Sequence, residues 1–243
     1  MRANRFSQVF SFSVMSFVKI ITYPFYWFEV NWLSQKQYSE LHNVRLIVLL
    51  NHTSLYETLF VRLAPFSYLW KIARNLLVPV ADVTTNRPVV GLFFHSLLPG
   101  IVPISRKRDK SWQTFLDRIN DEAIVAILPE GRMRRHDGND KHGKPMSVRA
   151  GVADIIEKLD SGNILFVYSG GMHHIQVPGQ KLPRLFKGIK TNMEIISVED
   201  YKDALYQPET KNRKSAFVAD IQTRLEECTP FCDLQPYNRD KDK

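Results

Sequence analysis

A histidine and a glutamate stand five residues apart in the stretch Asn51-His52-Thr53-Ser54-Leu55-Tyr56-Glu57. Neutral imidazole takes up a proton near pH 7, and a carboxylate on its other ring nitrogen would fix the tautomer. Such a pair can act as a general base. The same stretch also reads as the start of a helix. Ser54 to Glu57 fits the capping pattern Ser/Thr-x-x-Glu, in which hydroxyl and carboxylate satisfy backbone N–H groups of the first turn. Residues five apart on a regular helix lie about 140° apart, so His52 and Glu57 meet only if His52 lies in the turn before the helix. The cap requires the same arrangement, and the stretch alone leaves both readings open.

Two further polar groups follow apolar runs. Arg106 comes after Ile101 to Ile104, and Glu130 after Ala123 to Leu128. Arg132, Arg134 and Arg135 make the corner after Glu130 basic. Taken singly, an arginine at a strand end is usually solvated and Pro-Glu-Gly is usually a turn.

The elements that must position these groups are read from hydrophobic periodicity. Arg45 to Leu50, Leu76 to Val80, Ile101 to Ile104, Ala123 to Leu128, Ile164 to Tyr168 and Met193 to Val198 are short apolar runs expected to be buried strands. Helices are expected over Ser54 to Leu63, Pro88 to Leu98, Lys110 to Asn120, Ser147 to Leu159 and Ser215 to Glu227. This alternation predicts an α/β fold, a mixed and largely parallel sheet flanked by helices. In such sheets, sites gather where strands end and helices begin, which is where His52, Arg106 and Glu130 fall.

The 243 residues suffice for one large α/β domain with an appendage. With 44% hydrophobic and 24% charged residues the chain is expected to fold. A net charge of +8 suits phosphate-bearing partners. No zinc-finger spacing, basic zipper or aromatic RNA-binding motif is present, so nucleic acid is not expected as a partner. Cys228 and Cys232 are read as packing residues, not a disulfide framework. The loop His136 to Lys144 is read as solvated, and so is His173-His174.

Residues 1–38 differ in character from residues 39–243. Phe6 to Val18 and Ile20 to Phe28 are uncharged runs, each short of the ~20 apolar residues of a spanning helix. Aromatic residues between Phe17 and Trp32 suit a lipid–water boundary, and Pro24 would divide the segment. The expectation is one or two short helices lying in or dipping into one leaflet, followed by the α/β domain at 39–243.

Taken together, Asn51-His52-x-x-x-x-Glu57, then Gly100-Ile101-Val102-Pro103-Ile104-Ser105-Arg106, then Leu128-Pro129-Glu130-Gly131 resemble the motifs of the lysophospholipid and glycerol-phosphate acyltransferase superfamily. Ser147-Val148-Arg149-Ala150-Gly151 resembles the helix start that follows, and Ile164 to Gly170 a weaker fourth motif. The likeness covers about residues 40 to 200.

It implies transfer of a fatty acyl group from acyl-CoA or acyl-carrier protein, as co-substrate and with no other cofactor or metal, to the hydroxyl of a lysophospholipid such as 1-acylglycerol 3-phosphate. It implies His52 as base with Glu57 beside it, and acceptor binding by Arg106, Glu130, Gly131, Arg132 and Arg149. The implied setting is a membrane, at its cytoplasmic face (the inner membrane in a bacterium). A non-catalytic lipid binder, or a thioesterase or lysophospholipase, would use the same residues otherwise. Three positions depart from the family pattern: Glu57 replaces Asp, Arg132 replaces Thr and Tyr168 replaces a common Pro.

Overall fold

Seven short strands rich in Val, Ile and Leu pair into one sheet: β1 (Tyr26–Trp32), β2 (Val44–Leu50), β3 (Leu76–Ala81), β4 (Ile101–Ile104), β5 (Ile124–Ile127), β6 (Asn163–Ser169) and β7 (Lys187–Ser197), in the order β1-β7-β6-β2-β5-β3-β4. Only the β6–β7 pair is antiparallel. The computed structural model describes residues 4–81, 100–105, 109–135, 137–177, 180, 182–206 and 212–231. The helix expected over Pro88 to Leu98, and Arg106, His136 and Cys232, fall outside the described residues.

Helices cover both faces of the sheet. They are α1 (Arg5–Phe25), α2 (Phe66–Asn75), α3 (Lys110–Leu116), α4 (Gly151–Lys158), α5 (Val198–Leu205) and α6 (Arg213–Glu227), with two 3-10 helices at Tyr38–Asn43 and Leu55–Leu63. Side chains alternate across each strand. Leu46, Val48 and Leu50 of β2 pack with Val152, Ile155 and Ile156 of α4 and Phe217 and Ile221 of α6. Ile47 and Leu49 point the other way, towards Tyr68, Leu69 and Ile72 of α2 and Met15 of α1. Tyr168 lies on the α6 side of the sheet. Its hydroxyl donates to Glu194 (2.9 Å), which pairs with Arg224 of α6 (2.7 Å). The residue that departs from the family's fourth motif is therefore part of the core that anchors the last helix.

The N-terminal segment differs from its expected form. It is one helix with Pro24 in its last turn, followed by β1. Proline ends the helix, and the aromatic, β-branched run Tyr26-Trp27-Phe28-Glu29-Val30 takes the extended form, paired in parallel with β7 from Tyr26↔Lys187 to Trp32↔Met193. The buried face of α1 is polar apart from one residue: Gln8, Ser11, Met15, Lys19 and Thr22. Lys19 Nζ donates to the carbonyls of Arg62 (2.5 Å) and Ala64 (3.0 Å). Arg62 in turn donates to the carbonyls of Thr22 (3.1 Å) and Tyr26 at the end of α1, where a cation complements the helix dipole. The large apolar side chains of α1, including Phe6, Phe17, Ile20 and Tyr23, face outward.

Gly100, the first residue of the Gly-Ile-Val-Pro-Ile-Ser-Arg motif, has a packing reason. Its carbonyl accepts from Val78 N–H (3.0 Å), and a Cβ there would fall 1.5 Å from the carbonyl oxygen of Leu76. Backbone on both sides leaves nothing to move aside. Gly100→Ala is expected to destabilise the fold by about 3 kcal/mol, lowering Tm by roughly 6–12 °C in a thermal melt.

Candidate active site

The site begins with a backbone turn. Asn51 adopts a left-handed conformation (φ 62°), which asparagine tolerates better than most residues, and its Nδ2 donates to Ser169 O (2.8 Å) at the end of β6. The chain thereby leaves β2 abruptly and places His52 before the 3-10 helix at Leu55–Leu63. Ser54 caps that helix, accepting from Tyr56 N–H (3.2 Å).

Glu57 divides its two oxygens between the competing roles. Oε1 accepts the N–H groups of Thr53 (2.6 Å) and Ser54 (3.3 Å) and so completes the capping box. Oε2 accepts from Nδ1 of His52. An ionised carboxylate can only accept, so the neutral imidazole carries its proton on Nδ1 and leaves Nε2 with a free lone pair. Burial pulls the pKa of His52 down. The charge of Glu57, its hydrogen bond and the nearby Glu130 outweigh that effect, and His52 titrates above the usual histidine range.

Glu130, at the end of β5, is 1% exposed. Its Oε1 accepts from His52 N–H (3.1 Å), and its Oε2 lies 3.4 Å from Nε of Arg134. Both oxygens are thus engaged inside the protein, where they hold the His52 backbone. Arg134 N–H donates to His52 O (2.6 Å), closing a second tie between the two motifs. Gly131 sits at φ 68°, and Arg149 braces it: Arg149 Nε donates to Glu130 O (3.2 Å), and Arg149 N–H to Pro129 O (3.0 Å). Arg132 pairs with buried Asp140, which also accepts N–H groups of His142 (2.7 Å) and Lys144 (3.1 Å) and folds that loop. Of the expected site residues, the structure brings His52, Glu57, Glu130, Gly131 and Arg149 together, with Arg132 beside them and paired with Asp140. Arg106 lies outside the described residues.

His52, Glu57, Gly131 and Arg132 line one end of a cavity of about 530 Å³. The rest of it runs along the α2 face of the sheet, over Ile47 and Leu49 of β2, Leu165 and Val167 of β6 and Val78 of β3, below Val61 and Tyr68. The volume suits a small-molecule ligand, and its walls are mainly apolar. Arg135 and Lys141, both exposed, also line it. In the sequence only the basic run Arg132 to Arg135 hints at this role, and Lys141 carries no signal of it. His173 and His174 do not line the cavity. Their Nε2 atoms meet the carbonyls of Arg134 (3.1 Å) and Gly188 (2.5 Å).

A carboxylate that raises the pKa of His52 makes a spectroscopic prediction. An NMR titration of the His52 ring should give a midpoint above the ordinary value of about 6.5. In Glu57→Gln the burial penalty remains while the charge is lost, so the midpoint should fall below that of the native protein.

Comparison with known proteins follows from this geometry. An acyltransferase family model matches residues 34–170. No match is found among curated protein sequences. Among solved structures, the crystal structure of the 1-acyl-sn-glycerophosphate (LPA) acyltransferase PlsC from Thermotoga maritima is similar at a TM-score of 0.51 and 14% sequence identity, covering 94% of this chain and 80% of that one. At that identity the likeness speaks for the fold. The matched region runs from before β2 to just after β6 and includes His52, Glu57 and Glu130; the chain belongs to the acyltransferase family.

Proposed function

We propose that this acyltransferase moves a fatty acyl group from a thioester, acyl-CoA or acyl-carrier protein, to the hydroxyl of a lysophospholipid such as 1-acylglycerol 3-phosphate. The observation that carries the reading is a histidine oriented by a carboxylate among the polar residues lining a mainly apolar cavity. The cavity offers an acyl chain a dry lining, and the dyad sits where the reacting end of that chain would emerge.

The chemistry needs one base. Nε2 of His52 takes the proton from the acceptor hydroxyl as its oxygen attacks the thioester carbonyl. The tetrahedral intermediate collapses, the carbon–sulfur bond breaks, and the thiolate takes the proton from the imidazolium. Glu57 keeps Nδ1 protonated and stabilises the positive charge that forms on the ring. Glu130 and Arg134 fix the backbone of His52, while Arg149 supports the turn at Gly131. Arg135 and Lys141 supply positive charge at the polar end, suited to the acceptor's phosphate, and Arg106 would add to it.

A membrane would present the lysophospholipid acceptor. The exposed apolar face of α1 fits a helix lying in the interface, with its polar face docked on the protein instead of on water. α1 is also long and apolar enough, by length and composition, to cross a membrane. The interfacial reading is favoured because β1 follows α1 directly into the sheet.

Purified protein, thioester donor and a panel of lysolipids should yield diacyl lipid; release of free fatty acid alone would point to a thioesterase or lysophospholipase. His52→Ala should abolish transfer, and full activity in that variant would remove the base assignment. Glu57→Asp cannot span both the cap and the ring, and should lower kcat about tenfold to a hundredfold. Arg135→Met should raise KM for phosphate-bearing acceptors about tenfold with kcat nearly kept. The base works only when neutral, so kcat/KM should fall as pH drops through the raised pKa of His52. In Glu57→Gln that acid limb should move to lower pH, at a reduced rate.

A further inference from the structure

A second apolar feature lies beside α1. In the turn before β7, Leu182, Leu185 and Phe186 are 76%, 45% and 63% exposed. Exposure alone means little for single residues, but three within five residues make a patch. The turn is tied down at both ends. Arg184 N–H donates to Ile175 O (2.7 Å), Arg184 O accepts from the hydroxyl of Tyr26 (3.2 Å), and Phe186 N–H donates to Phe25 O (2.8 Å) at the end of α1. The Phe186 ring contacts that of Phe25, with centroids 5.7 Å apart. The C-terminal part of the turn, Arg184 to Phe186, is therefore held against the helix whose outer face is already apolar.

Two observations say what covers it. Phe186 is held at φ 59°, a left-handed conformation that a bulky residue adopts only under constraint, and the constrained backbone turns an aromatic ring away from the core. The next residue, Lys187, is exposed, and Trp27 lies across Gly188 with most of its surface exposed. Apolar tips, an interfacial indole and a cationic rim match the cross-section of an anionic bilayer surface.

We propose that residues 182–186 are a second foot, which enters the same anionic phospholipid leaflet as α1 and fixes the tilt of the protein on the membrane. This rests on the interfacial reading of α1. The segment leading to the foot also braces the active-site turn. Met172 N–H donates to Oγ1 of Thr53 (2.8 Å), and Oγ of Ser54 donates to Gln176 (3.1 Å). Residues 182–186 themselves do not line the cavity, so loss of the foot should be felt mainly with acceptors presented on vesicles.

The test uses the full chain with Cys228→Ser and Cys232→Ser, labelled with an environment-sensitive fluorophore at Leu182→Cys or, separately, at Phe17→Cys. Vesicles of phosphatidylethanolamine with phosphatidylglycerol should blue-shift both probes, and nitroxide lipids should quench both. A response at position 17 alone would overturn the second foot and leave the α1 reading standing. Silence at both positions would overturn the two together. The pair Leu182→Ser with Phe186→Gly, in which glycine relieves the backbone, should fold normally and keep activity towards a short-chain soluble acceptor. Its vesicle affinity should fall at least about tenfold. Unchanged affinity would also overturn the proposal.

Discussion

The site depends on one carboxylate serving two partners. Glu57 gives one oxygen to the N–H groups that open the 3-10 helix and the other to the ring of His52. The helix cap and the dyad are thus one structure. An N-terminal helix carboxylate is fixed by the backbone donors it satisfies, and a fixed carboxylate can hold an imidazole in one tautomer. Glu57 reaches both partners at once.

The layers of the fold follow from what this pair needs. Parallel strands bring the ends of β2 and β5 side by side, so Glu130 can grip the backbone of His52 from the neighbouring strand. The two faces of the sheet differ in purpose. The α4 and α6 face is closely filled and locked by the Tyr168, Glu194 and Arg224 network. The α2 face encloses the cavity, and residues such as Ile47 and Leu49 remain partly accessible because they line it. α1 reverses the usual arrangement of an amphipathic helix: its polar side docks through Lys19 and Thr22 onto the end of the helix that carries Glu57. The position of α1 and the active-site geometry are therefore linked through a short chain of hydrogen bonds.

Much of this was legible in the sequence. The strands β2, β4, β5 and β6 and the positions of His52 and Glu130 after strands follow from apolar runs bounded by polar residues. β1 was not legible, because an aromatic run next to an apolar helix reads equally well as more helix until its partner β7 is known. Helix α4 begins at Gly151, later than periodicity suggested, because Arg149 is drawn onto Pro129 and Glu130. Arg132 lines the cavity, and its pairing with Asp140, which no local pattern shows, depends on how the loop folds back.

The residue types and spacing by themselves determined the chemistry on offer: a histidine five residues before a glutamate, basic side chains nearby, and apolar strands to carry them. They did so because periodicity and capping are local, set by neighbours along the chain. Tertiary structure decided that Glu57 caps and orients at once, that Glu130 is buried and holds backbone, that Arg135 and Lys141 join the cavity, and that the apolar side of α1 faces out. Each of these depends on groups brought together from distant parts of the chain, whose burial and hydrogen-bond competition no local pattern encodes.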